Sequence, residues 1–130
     1  MSDDARSRYG VSPRKVDKPW GWELVWAEAD AYVGKLLFVR AGESLSLQYH
    51  ELKDESWLVQ EGRARLELGQ LGGDLEAVEI LPGSAFRFRP GTVHRVTALE
   101  DTLVIEVSTP FLDDVVRLED RYGREGTSAP

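Results

Sequence analysis

The stretch that decides the fold reads Gly42-Glu43-Ser44-Leu45-Ser46-Leu47-Gln48-Tyr49-His50-Glu51-Leu52-Lys53-Asp54-Glu55-Ser56-Trp57-Leu58-Val59-Gln60-Glu61-Gly62. Leu45, Leu47 and Tyr49 alternate with Ser44, Ser46, Gln48 and His50, and a period of two marks a half-buried strand. Trp57 to Gln60 and then Arg63-Ala64-Arg65-Leu66-Glu67-Leu68 flank the Glu61-Gly62 turn and read as a hairpin. Parity places Gln48 and His50 on one face with Ser44 and Ser46. Glu55, Trp57 and Val59 share a face of the next strand, where Trp57 reads as core.

The same alternation continues on both sides. Trp22 to Trp26, Tyr32 to Arg40, Leu75 to Leu81, Ala85 to Arg89, Thr92 to Leu99 and Thr102 to Ser108 read as strands. Gly72-Gly73-Asp74, Pro82-Gly83, Pro90-Gly91 and Glu100-Asp101 supply the turns between them. Short strands at this spacing predict an all-β antiparallel barrel or sandwich. Only Asp113 to Arg121 reads as helical, for a turn or two. Residues 1–17 read as a loose arm, 18–124 as one folded domain, and 125–130 as a loose tail.

Composition narrows the function. The chain has 130 residues, 16 Lys+Arg against 23 Asp+Glu, a net charge of −7, two histidines and no cysteine. Without cysteine there is no disulfide framework, thiolate zinc site or cysteine nucleophile. No apolar run approaches the roughly 18 residues of a membrane span, and Met-Ser-Asp-Asp-Ala-Arg opens no signal peptide. An acidic chain is a poor general partner for nucleic acid. The expectation is a cytoplasmic domain acting on a small molecule, with no nucleic-acid or membrane partner.

Both histidines follow Gly-bounded segments. His50 ends the first strand quoted, and His94 follows Pro90-Gly91-Thr92-Val93. In a closed barrel Gln48, His50, Glu55 and His94 would meet. Two imidazoles, a carboxylate and an amide oxygen suit Zn, Fe, Mn, Co or Ni, and their charge of −1 leaves a divalent ion Lewis-acidic. A single histidine more often simply hydrogen-bonds. Spacing alone leaves both readings open.

The spacing Gly42-x5-Gln48-x-His50-x4-Glu55-x6-Gly62 resembles the first cupin motif, with Gln48 in place of its first histidine. Gly83-x5-Arg89-Pro90-Gly91-Thr92-Val93-His94 resembles the second. Lys18-Pro19-Trp20-Gly21, Ile105-Glu106-Val107 and Val116-Arg117-Leu118-Glu119-Asp120-Arg121-Tyr122-Gly123-Arg124 narrow the likeness to type II mannose-6-phosphate isomerases. There the corresponding segment usually forms the C-terminal cupin of a bifunctional isomerase and mannose-1-phosphate guanylyltransferase.

The resemblance implies a single cupin barrel (a double-stranded β-helix, or jelly roll), here with a short C-terminal helix. It assigns Gln48, His50, Glu55 and His94 to a divalent metal, zinc first. It further implies conversion of mannose 6-phosphate to fructose 6-phosphate in nucleotide-sugar and polysaccharide precursor metabolism. The chain departs from the family at Lys53, where an arginine is usual, and at Ser108, where a glutamine is usual. Lysine keeps the charge and loses the bidentate fork.

On this reading Lys53, Arg117 and Glu106 are candidate catalytic residues, and Lys35, Arg95 and Ser46 candidate substrate contacts. Two alternatives keep the barrel: a metal-binding cupin of other chemistry, and a non-catalytic sugar-binding module that partners a separate guanylyltransferase. No Gly-rich nucleotide loop is present, so nucleotidyl transfer is set aside. Arg87 and Arg89, alternating with Phe86 and Phe88, read as a solvated face. Trp20 and Trp22 read as a clamp for the N-terminal arm. The apolar positions Leu45, Leu47 and Tyr49 would need covering by a second sheet or a twin subunit, so a homodimer is expected.

Overall fold

The computed structural model describes residues 3–126. A short helix, α1 (Asp3–Tyr9), precedes eleven strands: β1 (Arg14–Lys18), β2 (Gly21–Glu28), β3 (Val33–Val39), β4 (Leu47–Tyr49), β5 (Glu55–Glu61), β6 (Ala64–Gln70), β7 (Leu75–Ile80), β8 (Ala85–Phe88), β9 (Thr92–Ala98), β10 (Thr102–Ser108) and β11 (Val116–Glu119). They form a six-stranded sheet in the order β1-β2-β3-β10-β5-β8 and a five-stranded sheet in the order β11-β4-β9-β6-β7. Every pairing is antiparallel. The chain is all-β, as the alternation predicts.

Parity and register together divide the interior into an apolar end and a polar end. On β5 the buried positions are Glu55, Trp57 and Val59, set against Ser108, Glu106 and Val104 of β10. On β9 the inward ones are His94, Val96 and Ala98, and Val93 is buried as well. Val59, Val104, Val96 and Ala98 join Leu37, Val39, Leu66 and Ile80 in a continuous core. Glu55, Ser108, Glu106 and His94 lie at the other end. Burying that many polar groups is costly unless each finds a partner.

Three expectations are corrected. Residues 113–121 do not make a helix: β-branched Val115 and Val116 favour extended backbone, and β11 completes its hydrogen bonding on β4. Nor is the N-terminal arm loose over its whole length. It carries α1, and β1 extends the six-stranded sheet beside β2, with Lys15 Nζ 5.3 Å from the Trp22 ring centre. Trp22 stacks on Phe38 beneath that strand, whereas Trp20 is core.

Third, Leu45, Leu47 and Tyr49 form no open stripe. The chain is irregular before Leu47, so Leu45 turns toward the core, Leu47 is buried and Tyr49 half-buried. The surface that was to be covered by a dimer partner is therefore not there. Of the expected tail, residues 127–130 lie outside the described residues. Among the described residues, no helix is long and apolar enough to cross a membrane.

Candidate metal centre and pocket

His50 stands just beyond β4, Glu55 opens β5, and His94 lies on β9 directly opposite Gln48 of β4. One donor atom from each of His50, Glu55 and His94 lies within 4.8 Å of the others, and all three residues are buried. Glu55 Oε1 is 3.0 Å from His94 Nε2 and 3.5 Å from His50 Nε2.

The far side of each ring settles what those atoms are. His94 Nδ1 donates to the Thr92 carbonyl at 2.9 Å, and His50 Nδ1 donates to the Asp114 carbonyl. A carbonyl only accepts, so Nδ1 carries a proton in both rings, and Nε2 is the atom each ring turns toward Glu55, a lone pair wherever the ring acts as a ligand. Those two Nε2 atoms and Glu55 Oε1 are buried without a hydrogen-bond partner. Three converging electron-rich atoms repel one another unless a cation sits between them, and backbone-anchored imidazoles are the usual form of metal-ligating histidine. The residues fit a divalent ion.

Phe88 stacks on the His94 ring at 4.3 Å with the planes 2° apart, and Trp57 meets the same ring edge-on at 6.0 Å. Gln48 faces the same pocket, its Oε1 accepting from Ser46 Oγ at 2.7 Å. Ser46 thus orients the expected fourth ligand.

Beside this cluster runs a buried charge relay. Lys53 Nζ lies 3.0 Å from Glu55 Oε2 and 3.6 Å from Glu106 Oε2. Glu106 Oε1 accepts from Trp57 Nε1 at 3.0 Å, while Oε2 accepts no hydrogen bond. Burial works against the Lys53 ammonium, but the Glu106 and Glu55 charges outweigh it and hold the group protonated above the ordinary lysine range. Burial would raise Glu55 as well, yet the Lys53 ammonium beside it outweighs this and holds it well below the usual carboxylate range. Glu106 shifts the other way: burial and the nearby Glu55 charge raise it, against the pull of Lys53, Lys35 and Trp57. Two carboxylates one lysine apart are thereby driven in opposite directions.

The mouth of the pocket is cationic. Glu23 is shared by Lys18 at 3.8 Å and Lys35 at 3.4 Å. Opposite them, Arg117 of β11 and Arg124 line the same opening, with Arg124 held on Asp120. Burial lowers Lys18 and Arg117 from their usual values, and neighbouring cations add to the effect. Five cationic and three carboxylate side chains line this pocket, in a chain of net charge −7.

Of the candidate site residues, Lys35, Ser46, Gln48, His50, Lys53, Glu55, Glu106 and Arg117 line one cavity, and His94 closes its floor beside Glu55. Arg95 does not join them. His94 points inward, so its neighbour on β9 must point outward, and Arg95 pairs with Glu67 and Glu119 on the far face of the sheet. Parity within Val93-His94-Arg95 was enough to exclude it. The residue types missed are Lys18, Glu23, Arg124 and Asp114. Lys18 and Arg124 sit inside the quoted Lys-Pro-Trp-Gly and Tyr-Gly-Arg segments, and Glu23 shares the inward parity of Val25.

Asp114 left no such signal. Its carboxylate accepts from three successive backbone amides, Glu51 at 3.0 Å, Leu52 at 2.6 Å and Lys53 at 2.8 Å. One residue thus holds both the His50 ring and the loop that joins His50, Lys53 and Glu55.

A double-sheet jelly roll with two histidines and a glutamate at one open end defines a metal-binding-type cupin. Solved structures agree on the fold: the capsular polysaccharide assembling protein CapF from Staphylococcus aureus superposes with a TM-score of 0.73 at 17% identity, over 88% of this chain and 34% of that one. An oxalate decarboxylase from Bacillus subtilis does so with a TM-score of 0.67 at 18% identity, over 80% of this chain and 29% of that one. Residues 5–120 match the family described as mannose-6-phosphate isomerase C-terminal, and the chain belongs to it. Mannose-1-phosphate guanylyltransferase ManC of Salmonella typhimurium is 37% identical over 118 residues, 85% of this chain and 23% of that protein. The chain spans about a quarter of the length of the curated relatives it matches.

Proposed function

We propose that the chain is a divalent-metal-dependent sugar-phosphate isomerase interconverting mannose 6-phosphate and fructose 6-phosphate, within the polysaccharide-precursor chemistry to which its family belongs. The observation that carries this reading is the pairing, in one pocket, of the ligand cluster with the Lys53–Glu106 pair under a cationic mouth. An acidic protein concentrates positive charge in one cavity only at a cost, and an anionic substrate offsets that cost.

The reaction removes the C2 proton of the open-chain aldose, gives a proton to O1, then releases the O2 proton as C1 is protonated. A divalent cation held by His50, Glu55, His94 and Gln48 would supply Lewis acidity toward the carbonyl oxygen. Glu106, whose Oε2 accepts no hydrogen bond and whose affinity for protons is raised, is the group to carry the proton between carbons. Lys53, permanently charged, stabilises negative charge developing on the oxygens. Lys18, Lys35, Arg117 and Arg124 hold the phosphate at the mouth.

The test is a coupled assay on metal-loaded protein with mannose 6-phosphate. Turnover is expected, with Glu106→Gln lowering kcat by about 10²- to 10⁴-fold. Arg124→Ala is expected to raise KM, while Arg95→Ala leaves both constants unchanged. A metal-loaded protein that does not convert the substrate overturns the proposal.

A further inference from the structure

The outer face of the six-stranded sheet takes no part in the pocket. Cross-strand register aligns its outward side chains in three rows. Trp22, Phe38 and Leu103 form the first; Leu24, Leu36, Ile105 and Leu58 the second. In the third, Trp26 lies flat over Gly34, next to Val107 and Ser56. Trp26, Val107 and Leu58 are 44%, 49% and 41% exposed. Among these outward positions of β2, β3, β10 and β5 the one charged side chain is Glu61, at the corner of the face beside Leu103. Further charges lie on the flanking strands, with Lys15 and Asp17 on β1 and Arg87 on β8.

We propose that this face is a dimer interface, its occupant a second copy of the chain packed sheet to sheet about a two-fold axis. The dimensions suit it. Six strands about 4.8 Å apart and three outward positions about 6.8 Å apart give a face of roughly 600 Å² in projection. Side-chain relief brings the accessible area near the ~800 Å² per partner of a standard interface. An apolar centre with a charged rim is the anatomy of such interfaces.

Charge selects the same face. Two copies each carrying −7 repel overall, and this face, with Glu61 alone at its corner, is where they approach at low electrostatic cost. A two-fold axis brings the same sheet face against itself, and stacked twisted sheets pack about 10 Å apart with strands near 30° to one another. The pockets open between the two sheets, on the inner side of this one, so pairing leaves both accessible.

Light scattering on the full chain across micromolar concentrations tests the proposal. Twice the 14.6 kDa chain mass is expected. The double variant Leu36→Glu/Ile105→Glu buries unpaired charge at the centre of the face and is expected to give the single-chain mass at the same concentrations, with dimer affinity down at least ~100-fold. Circular dichroism verifies that the variant is folded. Should it not fold, Leu58→Lys/Val107→Lys, at positions already largely exposed, must produce the same halving of mass. A wild-type monomer overturns the proposal, and so does a dimer that survives substitution in a folded variant.

Discussion

Asp114 shows how much one side chain outside the ligand set controls. Three consecutive amides on one carboxylate form a small anion nest, and the same residue's carbonyl fixes which nitrogen of His50 is free. Burial would raise the Asp114 carboxyl, but the amides of Glu51, Leu52 and Lys53 hold it below the usual aspartate range. Asp114→Ala should leave the 51–53 loop unanchored and weaken divalent-metal affinity by about 10- to 100-fold, read by competition with a chelator. Asp114→Asn, which keeps one acceptor oxygen, should weaken it less. Equal affinities in all three proteins would show that the loop holds itself. Lys53 belongs to this picture as well: it sits where the family usually has arginine, and its two carboxylate partners take the place of a bidentate fork with two separate contacts.

At the scale of elements, the β5–β6 hairpin is set by a single glycine. Gly62 adopts φ 95°, and a Cβ there would lie 2.3 Å from the Asp101 carbonyl oxygen and 2.7 Å from Thr102 Cα. Both contacts are backbone, so neither can move aside cheaply. Gly62→Ala should cost about 1–3 kcal/mol from conformation alone, with the clash adding to it, measured by chemical denaturation. A loss within experimental error would mean that the turn relaxes. The hairpin matters to the site because β5 carries Glu55 at one end and abuts this turn at the other. β11 makes the contrasting case. Its residues carry enough charge at i,i+4 spacing to pass for a helix, and the open edge of β4 overrides that preference.

For the whole molecule, the C-terminal segment ties β11 back onto the chain that leads into β4. Arg121 donates to the Gly42 carbonyl at 2.6 Å, Tyr122 donates to Glu43, and Asp120 accepts from the backbone and side chain of Arg124 at 2.8, 3.0 and 3.1 Å. Burial would raise Asp120, yet Arg124 and the Arg117 charge outweigh it and leave the carboxyl below its usual range. A depressed folded pKa contributes stability that is present above the unfolded value of about 3.9 and is lost as pH falls through the folded one. Thermal melts should therefore show Asp120→Asn less stable than wild type at neutral pH, with the difference shrinking below about pH 4. A difference that stays constant with pH would remove Asp120 from the account.

What the sequence determined by itself was periodic. Alternation is a local property of the chain, so strands, turns and the inward parity of Gln48, His50, Glu55 and His94 were legible in it, and motif spacing placed them in a cupin. Parity even held the answer for Arg95, because neighbours on a strand must face opposite ways. The tertiary structure decided whatever depends on residues far apart in the chain. It brought Asp114 to the 51–53 loop across some sixty positions, and it set Lys18 and Lys35 on one glutamate. It also turned 116–119 into a strand and gathered Trp22, Leu36, Ile105 and Leu58 on one apolar face. Hydrogen bonds and ion pairs act over a few ångströms, and only folding makes those distances.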